Sequence, residues 1–187
     1  MKYLTPELLL RFRSADPDVA DRATAEWEVA LARYSRYYSR IKSKLPPSAR
    51  RFHNECGLHD ADVFAPALIP AKGRNGRRRE LVIVTQNINT LYAEHLNTLI
   101  TLRYTLADDP VIETPLGTEP FDQAQPQWLY DEWSLLRPGV FCHSIFISDG
   151  RVIRIPCREF QYDVAPLVLP AENGKGSSKT RKKAVPA

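Results

Sequence analysis

The chain has 187 residues, 43% of them hydrophobic and 26% charged, a composition typical of one soluble globular domain. Its longest apolar runs, LIPA after Ala67 and LVIV after Glu80, are far shorter than the roughly 18 residues that a membrane span needs. The opening MKYLTPELLL does not have the pattern of a signal peptide, and three cysteines suggest free thiols in a reducing compartment. We therefore expect a cytoplasmic protein.

The net charge of +4 belongs to the end of the chain. Residues 171–187 hold five basic residues and one acidic residue, so residues 1–170 are neutral. Within that neutral part, residues 33–79 carry a net charge of +9 and residues 80–150 a net charge of −8. Such blocks commonly face each other or lie in solvent, but the acidic block also suits a basic partner.

Two helices are predicted near the start of the chain. Thr5 precedes a proline and a glutamate, which indicates a short first helix. A second helix is predicted from about Asp16 to Leu45, because proline follows at positions 46 and 47. Its apolar and aromatic stripe has helical spacing and consists of Trp27, Leu31, Tyr34, Tyr38, Ile41 and Leu45. A short helical turn over Pro47–His53 follows.

After Cys56 the period of the apolar residues changes to two, which predicts β-strands. The predicted strands are His59–Ile69, Arg79–Asn87, Thr98–Leu106, Gln127–Leu136, Phe141–Ser148 and Arg151–Tyr162, with a weaker one at Val111–Thr114. Residues 88–97 also fit a short helix, and their pattern does not decide. Asp149-Gly150 predicts a two-residue hairpin turn of type I′, which would pair Cys142 with Cys157 and set His143 opposite Pro156.

These elements predict an α+β fold, in which N-terminal helices, one of them long, pack on a mainly antiparallel β-sheet of about six strands. Residues 1–54 form the helical segment and residues 55–170 the sheet region of the same domain. Residues 171–187 are rich in glycine, serine and lysine, which predicts a disordered basic tail.

Catalytic motifs are not recognisable in the sequence. It contains no nucleophile elbow, phosphate-binding loop or dinucleotide fingerprint, so we assign no catalytic residue and no cofactor. Asp131 and Glu132 are adjacent in a strand and point to opposite faces, which excludes a simple carboxylate pair. A metal-assisted hydrolase would need His59, Asp60, Asp131 and His143 to converge. We expect these four to be scattered, with His143 held by packing or a single hydrogen bond.

Basic residues cluster at two places in the chain. The loop 72–79 contains Arg74, Arg77, Arg78 and Arg79, and the tail contains Lys179, Arg181, Lys182 and Lys183. Such clusters can bind phosphate or an acidic partner, so a nucleic-acid-associated protein is one alternative. Aromatic residues do not interleave with these cations, which disfavours a single-strand binder.

Three segments together resemble an uncharacterised bacterial domain family of unknown function. They are HDADV at 59–63, QWLYDE at 127–132 and GVFCHSIFISDGRVIRIP at 139–156. Members of that family share an HD-containing strand, an L-Y-[DE]-E segment and a final H-x-I-x-x-S-[DN]-G hairpin. The resemblance covers about residues 1–165 and implies an α+β cytosolic protein without an established activity. It transfers no catalytic residue.

The separated charges in a neutral body favour a small protein-binding or interaction module, of immunity or antidote type. The candidate partner-binding residues are Arg74, Arg77, Arg78, Arg79, Asp131 and Glu132. The alternatives are the metal-assisted hydrolase and the nucleic-acid-associated protein. The sequence does not specify the partner, the substrate or the oligomeric state.

Overall fold

The computed structural model describes residues 1–64, 66–70, 79–87, 97–115 and 125–167. These residues form the predicted α+β fold, with the helices first and an antiparallel sheet after them. The loop before Arg79, the basic tail and nearly all of the undecided segment after Asn87 lie outside the described residues. Among the described residues, no helix combines the length and apolarity that a bilayer crossing requires.

Three α-helices open the chain. They are α1 (Pro6–Phe12), α2 (Pro17–Ile41) and α3 (Pro47–Glu55), with a 3₁₀ turn at Lys42–Lys44. Each helix has a proline in its first turn, and the side chains of Thr5 and Asp16 cap the first two. Leu31, which belongs to the predicted stripe, is exposed. Three other stripe residues of the second half of α2, Tyr34, Tyr38 and Ile41, are buried.

The strands form one antiparallel sheet. They are β1 (Asp62–Val63), β2 (Ala67–Pro70), β3 (Arg79–Asn87), β4 (Thr98–Leu106), β5 (Val111–Glu113), β6 (Trp128–Arg137), β7 (Val140–Ile147) and β8 (Val152–Pro166). The order is β1-β3-β4-β8-β7-β6, with β2 added to β3 and β5 added to β8. The predicted bounds of β3 and β4 are confirmed, and the other strands differ by a few residues.

The sheet curls until its first and last strands meet. The Trp128 N–H donates to the Ala61 carbonyl at 2.8 Å, and the Asp60 N–H donates to the Trp128 carbonyl at 2.8 Å. An isolated antiparallel bridge between Asp62 and Gln127 continues this contact. The curled sheet therefore has an inner face, which encloses the main core, and an outer face.

Helix α2 packs along the part of the β6 edge that no described strand covers. The Trp133 N–H donates to the Tyr34 hydroxyl at 2.7 Å, and the Leu135 N–H donates to the Tyr37 hydroxyl at 3.1 Å. Two tyrosines of one helix thus satisfy backbone donors that would otherwise form an open strand edge.

The expected strand His59–Ile69 is wrong in its first part. His59 and Asp60 form a turn, and Asp60 has a φ of 65°, in the left-handed region that aspartate tolerates better than most residues. The remainder is divided into the short strands β1 and β2. Pro66 lies between them and has no N–H to donate to a ladder.

The predicted two-residue hairpin turn between β7 and β8 is also wrong. The Gly150 N–H donates to the Ile147 carbonyl at 3.0 Å, and the Ile147 N–H donates to the Arg151 carbonyl at 2.9 Å. This is a three-residue loop in which Gly150, with a φ of 86°, takes the left-handed position. Ser148 belongs to the loop and exchanges hydrogen bonds with the backbone of Gln127 instead of pairing across the hairpin.

The change of turn moves the hairpin register by one residue. Cys142 lies opposite Pro156 instead of Cys157, and His143 lies opposite Ile155 instead of Pro156. Cys142 and Cys157 are both buried free thiols.

The core has two parts. The larger part fills the curled sheet, and its most buried large side chains include Phe52, Ile83, Tyr104, Trp133, Ile145 and Phe160. A smaller cluster lies on the outer face, where α1 and α2 cover the sheet, and contains Leu9, Leu129, Phe146 and Val152.

Candidate functional site

Strands β6 and β7 carry three of the candidate residues, Asp131, Glu132 and His143, and the strand pleat divides them between the two faces of the sheet. Asp131 and His143 point inward, next to the main core. Glu132 points outward and lies opposite Ser144. The carboxylates of Asp131 and Glu132 therefore do not meet, as the alternation of strand side chains predicts.

The inner residues form a buried triad of Tyr104, His143 and Asp131. The Tyr104 hydroxyl lies 2.8 Å from His143 Nδ1, and His143 Nε2 lies 2.9 Å from Asp131 Oδ2. Trp128 donates its indole N–H to Asp131 Oδ1 at 3.2 Å, and Trp133 stacks on the imidazole with ring centroids 3.9 Å apart. Nε2 donates to the Asp131 carboxylate and Nδ1 lies within hydrogen-bond distance of the Tyr104 hydroxyl, so the imidazole satisfies both neighbours. His143 thus has two hydrogen bonds, and the expectation of a single one is wrong.

Asp131 is the member of the triad that lies nearest the surface. Burial works to raise the pKa of Asp131, but the hydrogen bond and charge of His143, the charge of His53 and the Trp128 N–H together hold it below its ordinary value. Burial raises the pKa of the nearby Tyr34, and it lowers the pKa of His53. A carboxylate of lowered pKa is a weak base, and the Tyr104 end is closed to any substrate. The triad is therefore arranged to hold the core together.

His59 and Asp60 form a separate pair. His59 Nδ1 lies 2.9 Å from Asp60 Oδ1, and His59 Nε2 lies 3.3 Å from the Tyr130 hydroxyl. Tyr130 leaves β6 on the face opposite Asp131, so the four candidates for a hydrolase form two pairs instead of one centre. Across the described residues, no group of three or more histidine, cysteine, aspartate or glutamate side chains is placed to hold a metal ion.

Glu132 fixes the first residues of the chain to the outer face. It is almost completely buried, and its carboxylate accepts from the backbone N–H groups of Lys2 at 2.9 Å, Tyr3 at 2.8 Å and Leu4 at 2.6 Å. Three such donors balance the buried charge. The two acidic residues proposed to bind a partner, Asp131 and Glu132, are thus both engaged inside the molecule.

The acidic block is largely neutralised within the described part of the chain. Arg79 forms an ion pair with Asp109, which joins the basic block to the acidic one. The acidic residues of the segment 80–150 that have basic, imidazole or backbone partners are Asp108, Asp109, Glu113, Asp131, Glu132 and Asp149. The remaining basic candidates, Arg74, Arg77, Arg78, Lys179, Arg181, Lys182 and Lys183, lie outside the described residues.

A cavity of about 280 Å³, here called the outer cavity, lies on the outer face beside the N-terminal segment. Two rows of side chains across the strands contribute to its floor: Glu132, Ser144, Arg154 and Val111 in one, and Ser134, Cys142 and Pro156 in the other. The next row along the strands belongs to the covered outer cluster. The outer cavity therefore occupies the part of this face that the helices leave open.

The sequence gives little signal for the outer cavity. Its serines and arginine look like ordinary exposed strand residues, and only the strand register brings them together. The predicted register would have set Ser144 beside Ile155 instead of Arg154. Burial raises the pKa of the Cys142 thiol, and its sulfur lies 3.7 Å from the Ser144 hydroxyl oxygen. Cys142 is therefore a packing residue and not an activated nucleophile.

No protein-family model matches this chain, and the search of curated proteins also finds no match. The resemblance to a bacterial domain family of unknown function therefore stays a prediction.

Proposed function

We propose that the protein is a protein-binding module that takes an extended segment of its partner as an added strand along β5. In the described part of the chain, β5 pairs only with β8, and all three of its residues are exposed. Val111 and Ile112 leave 47% and 52% of their surface in solvent. An edge strand with exposed apolar side chains is a template for strand addition. This observation carries the proposal.

The apolar surface continues from β5 onto the outer face. Leu136 is 54% exposed and lines the outer cavity together with Val111. The edge of β6 is different, because Tyr34 and Tyr37 occupy its backbone donors. Among the described residues, the protein's own helix thus closes the edge of β6, whereas no second strand pairs with β5.

Charge contributes less to the proposed recognition than the sequence suggested. Most acidic residues of the described part of 80–150 already have partners inside the molecule. The partner segment is therefore recognised by backbone hydrogen bonds along β5 and by apolar side chains on both of its faces: Val111 and Leu136 contact one face, and Ile112 contacts the other. A module of immunity or antidote type would use such contacts to cover its partner.

A random peptide library displayed on phage tests this function with the full chain as bait. We expect enriched peptides with an extended apolar segment that presents side chains to both faces, and Ile112→Lys should weaken their binding at least about tenfold, since a lysine removes an apolar anchor. Leu68→Lys tests the alternative edge, because Leu68 is 54% exposed on β2, which pairs only with β3 in the described part of the chain. It should change the affinity by less than about twofold, since it lies outside the proposed surface.

Two results would contradict the proposal. One is a selection without any enriched peptide, and the other is an equal effect of Ile112→Lys and Leu68→Lys on the selected peptides. Thermal melts of both variants verify that each remains folded, which surface substitutions of this kind generally permit.

We place this function in the bacterial cytoplasm, as the resemblance implies. Cys56, Cys142 and Cys157 are free thiols, which suits a reducing compartment. Fractionation of source cells tests the location, and recovery from the periplasm or the medium would contradict it.

A further inference from the structure

We infer that the outer cavity is a binding site for a small free carboxylic acid with a hydrocarbon part. The inference does not depend on strand addition at β5: Val111 and Leu136 border both surfaces, but the ligand here is a small molecule whose main contact is with Arg154. It rests on the hydrogen-bonding capacity of the groups that reach the cavity, on its apolar walls and on its size.

Donors dominate the polar lining of the outer cavity. Arg154 and Lys2 bring positive charge, and Ser134 and Ser144 bring hydroxyls. The one carboxylate in the lining, Glu132, already accepts from three backbone N–H groups. A lining of this kind favours a ligand that brings acceptors and negative charge.

Arg154 retains donors for such a ligand. Its contact with Glu113, at 3.3 Å, joins Nη2 to a single carboxylate oxygen at the rim. A guanidinium carries five N–H groups, so this contact engages only part of the side chain. The planar fork suits a carboxylate better than it suits a neutral hydroxyl.

The walls of the outer cavity are apolar and limit the length of the ligand. Val111, Leu136, Tyr37 and Pro156 surround the polar floor. The volume of about 280 Å³ is at the small end of ligand pockets, which typically run from roughly 300 to 1,000 Å³. A carboxylate with a short alkyl chain matches this combination of polarity and size.

The N-terminal segment borders one end of the floor of the outer cavity. Val111 lies at one end of the first floor row, and Glu132 lies at the other. Glu132 holds the backbone of Lys2 and Tyr3, so this segment lies at the end opposite Val111. A ligand that lies along this row therefore ends against the segment, which suits a short free acid.

Calorimetric titration of the full chain with hexanoate tests the inference. We expect saturable binding with a dissociation constant on the order of 1 mM, an affinity that a ligand of about eight non-hydrogen atoms can reach. Hexan-1-ol and hexylamine have the same number of carbon atoms but no carboxylate. Each should bind at least about tenfold more weakly, because neither offers two carboxylate oxygens to the guanidinium group of Arg154.

Two variants separate a specific site from general adsorption. Arg154→Gln should weaken hexanoate binding at least about tenfold, because it removes the charged donors. Arg103→Gln is the matched control, since the Arg103 side chain is also 44% exposed and pairs with an aspartate on another part of the sheet. The control should stay within about twofold of the wild type, since independent sites do not couple.

A substitution at the floor gives a second test that keeps all charges. Ser144→Leu fills the space under the ligand, and it should abolish hexanoate binding while the thermal midpoint shows that the chain is folded. The inference is overturned by the lack of saturable heat with hexanoate, by equal binding of hexan-1-ol, or by equal effects of the two arginine variants.

Discussion

His143 connects two polar groups inside the sheet, and its replacement by phenylalanine tests whether the buried triad stabilises the fold. Phenylalanine keeps an aromatic ring of similar size against Trp133, where the imidazole now stacks at 3.9 Å. It removes both ring nitrogens and therefore both hydrogen bonds, those to Tyr104 and to Asp131. The variant thus isolates the polar contribution of His143 from its packing.

The cost follows from the two groups that lose their partner. Tyr104 is fully buried, and leaving its hydroxyl unpaired costs about 1–3 kcal/mol. Removing one member of a fully buried ion pair costs about 3–5 kcal/mol, but the Asp131 side chain is 25% exposed. Water can solvate its carboxylate, so we assign about 1–2 kcal/mol to it. We expect His143→Phe to lower the free energy of unfolding by about 2–5 kcal/mol.

A second substitution shows which group carries the cost. Adding Tyr104→Phe to His143→Phe removes the orphaned hydroxyl, so the double variant should regain about 1 kcal/mol or more. Tyr104→Phe alone should destabilise the protein, because it leaves His143 Nδ1 without its partner. Urea denaturation followed by far-ultraviolet circular dichroism measures the free energy of unfolding of all three variants. Together with the wild type they form a double-mutant cycle, which gives the coupling energy between Tyr104 and His143.

The way the cost of His143→Phe changes with pH tests the role of the Asp131 carboxylate. The pKa of Asp131 lies below its ordinary value in the folded protein, so its contribution is present above the unfolded value of about 3.9. It is lost as the pH falls through the folded pKa. The difference between wild type and His143→Phe should therefore be largest above about pH 4 and shrink below it. A cost under about 1 kcal/mol at neutral pH, or strict additivity in the cycle, would refute the reasoning.

Three further predictions concern the outer face and the surface near Asp131. Glu132→Gln should cost about 1–3 kcal/mol and speed amide hydrogen exchange at Lys2, because a neutral amide cannot hold three N–H donors; unchanged exchange would contradict this. Trp27→Ala should lower the free energy of unfolding, measured by urea denaturation, by about 2 kcal/mol, which is less than for a buried tryptophan because Trp27 is only partly buried where it packs on Tyr130. A cost above about 4 kcal/mol would contradict this prediction. Burial lowers the pKa of His53, so its contribution to stability is present above about pH 6.5 and is lost on acidification, and His53→Phe should therefore reduce the fall in the free energy of unfolding between about pH 7 and 5. An equal dependence of that free energy on pH in wild type and variant would count against it.

Local sequence signals were sufficient for the order and type of the elements. The caps Thr5 and Asp16 mark the starts of α1 and α2, and both cap through side-chain oxygens. The alternation within Thr98–Leu106 gives the bounds of β4. These signals are properties of a few neighbouring residues, so they do not depend on how the sheet is assembled.

The buried triad depends on how the strands are arranged in the sheet, so the sequence predicts it only in part. Residue type alone suggested Asp131 and His143 as candidates. Their third member, Tyr104, lies 39 residues before His143 on β4, and β8 separates the two strands in the sheet. The curl of the sheet brings Tyr104 to His143, and no spacing in the sequence reports this curl.

The hairpin register shows how a local rule and the apolar pattern can disagree. The two-residue turn predicted from Asp149-Gly150 would place Arg154 and Pro156 on the inner face with His143. The observed three-residue loop turns Ile153 and Ile155 inward instead, and both are buried. Each of these side chains contributes about 1.5–3 kcal/mol on burial, whereas a glycine adopts the left-handed position at little cost. Burial therefore outweighs the turn preference, and the same shift turns Arg154 outward to the floor of the outer cavity.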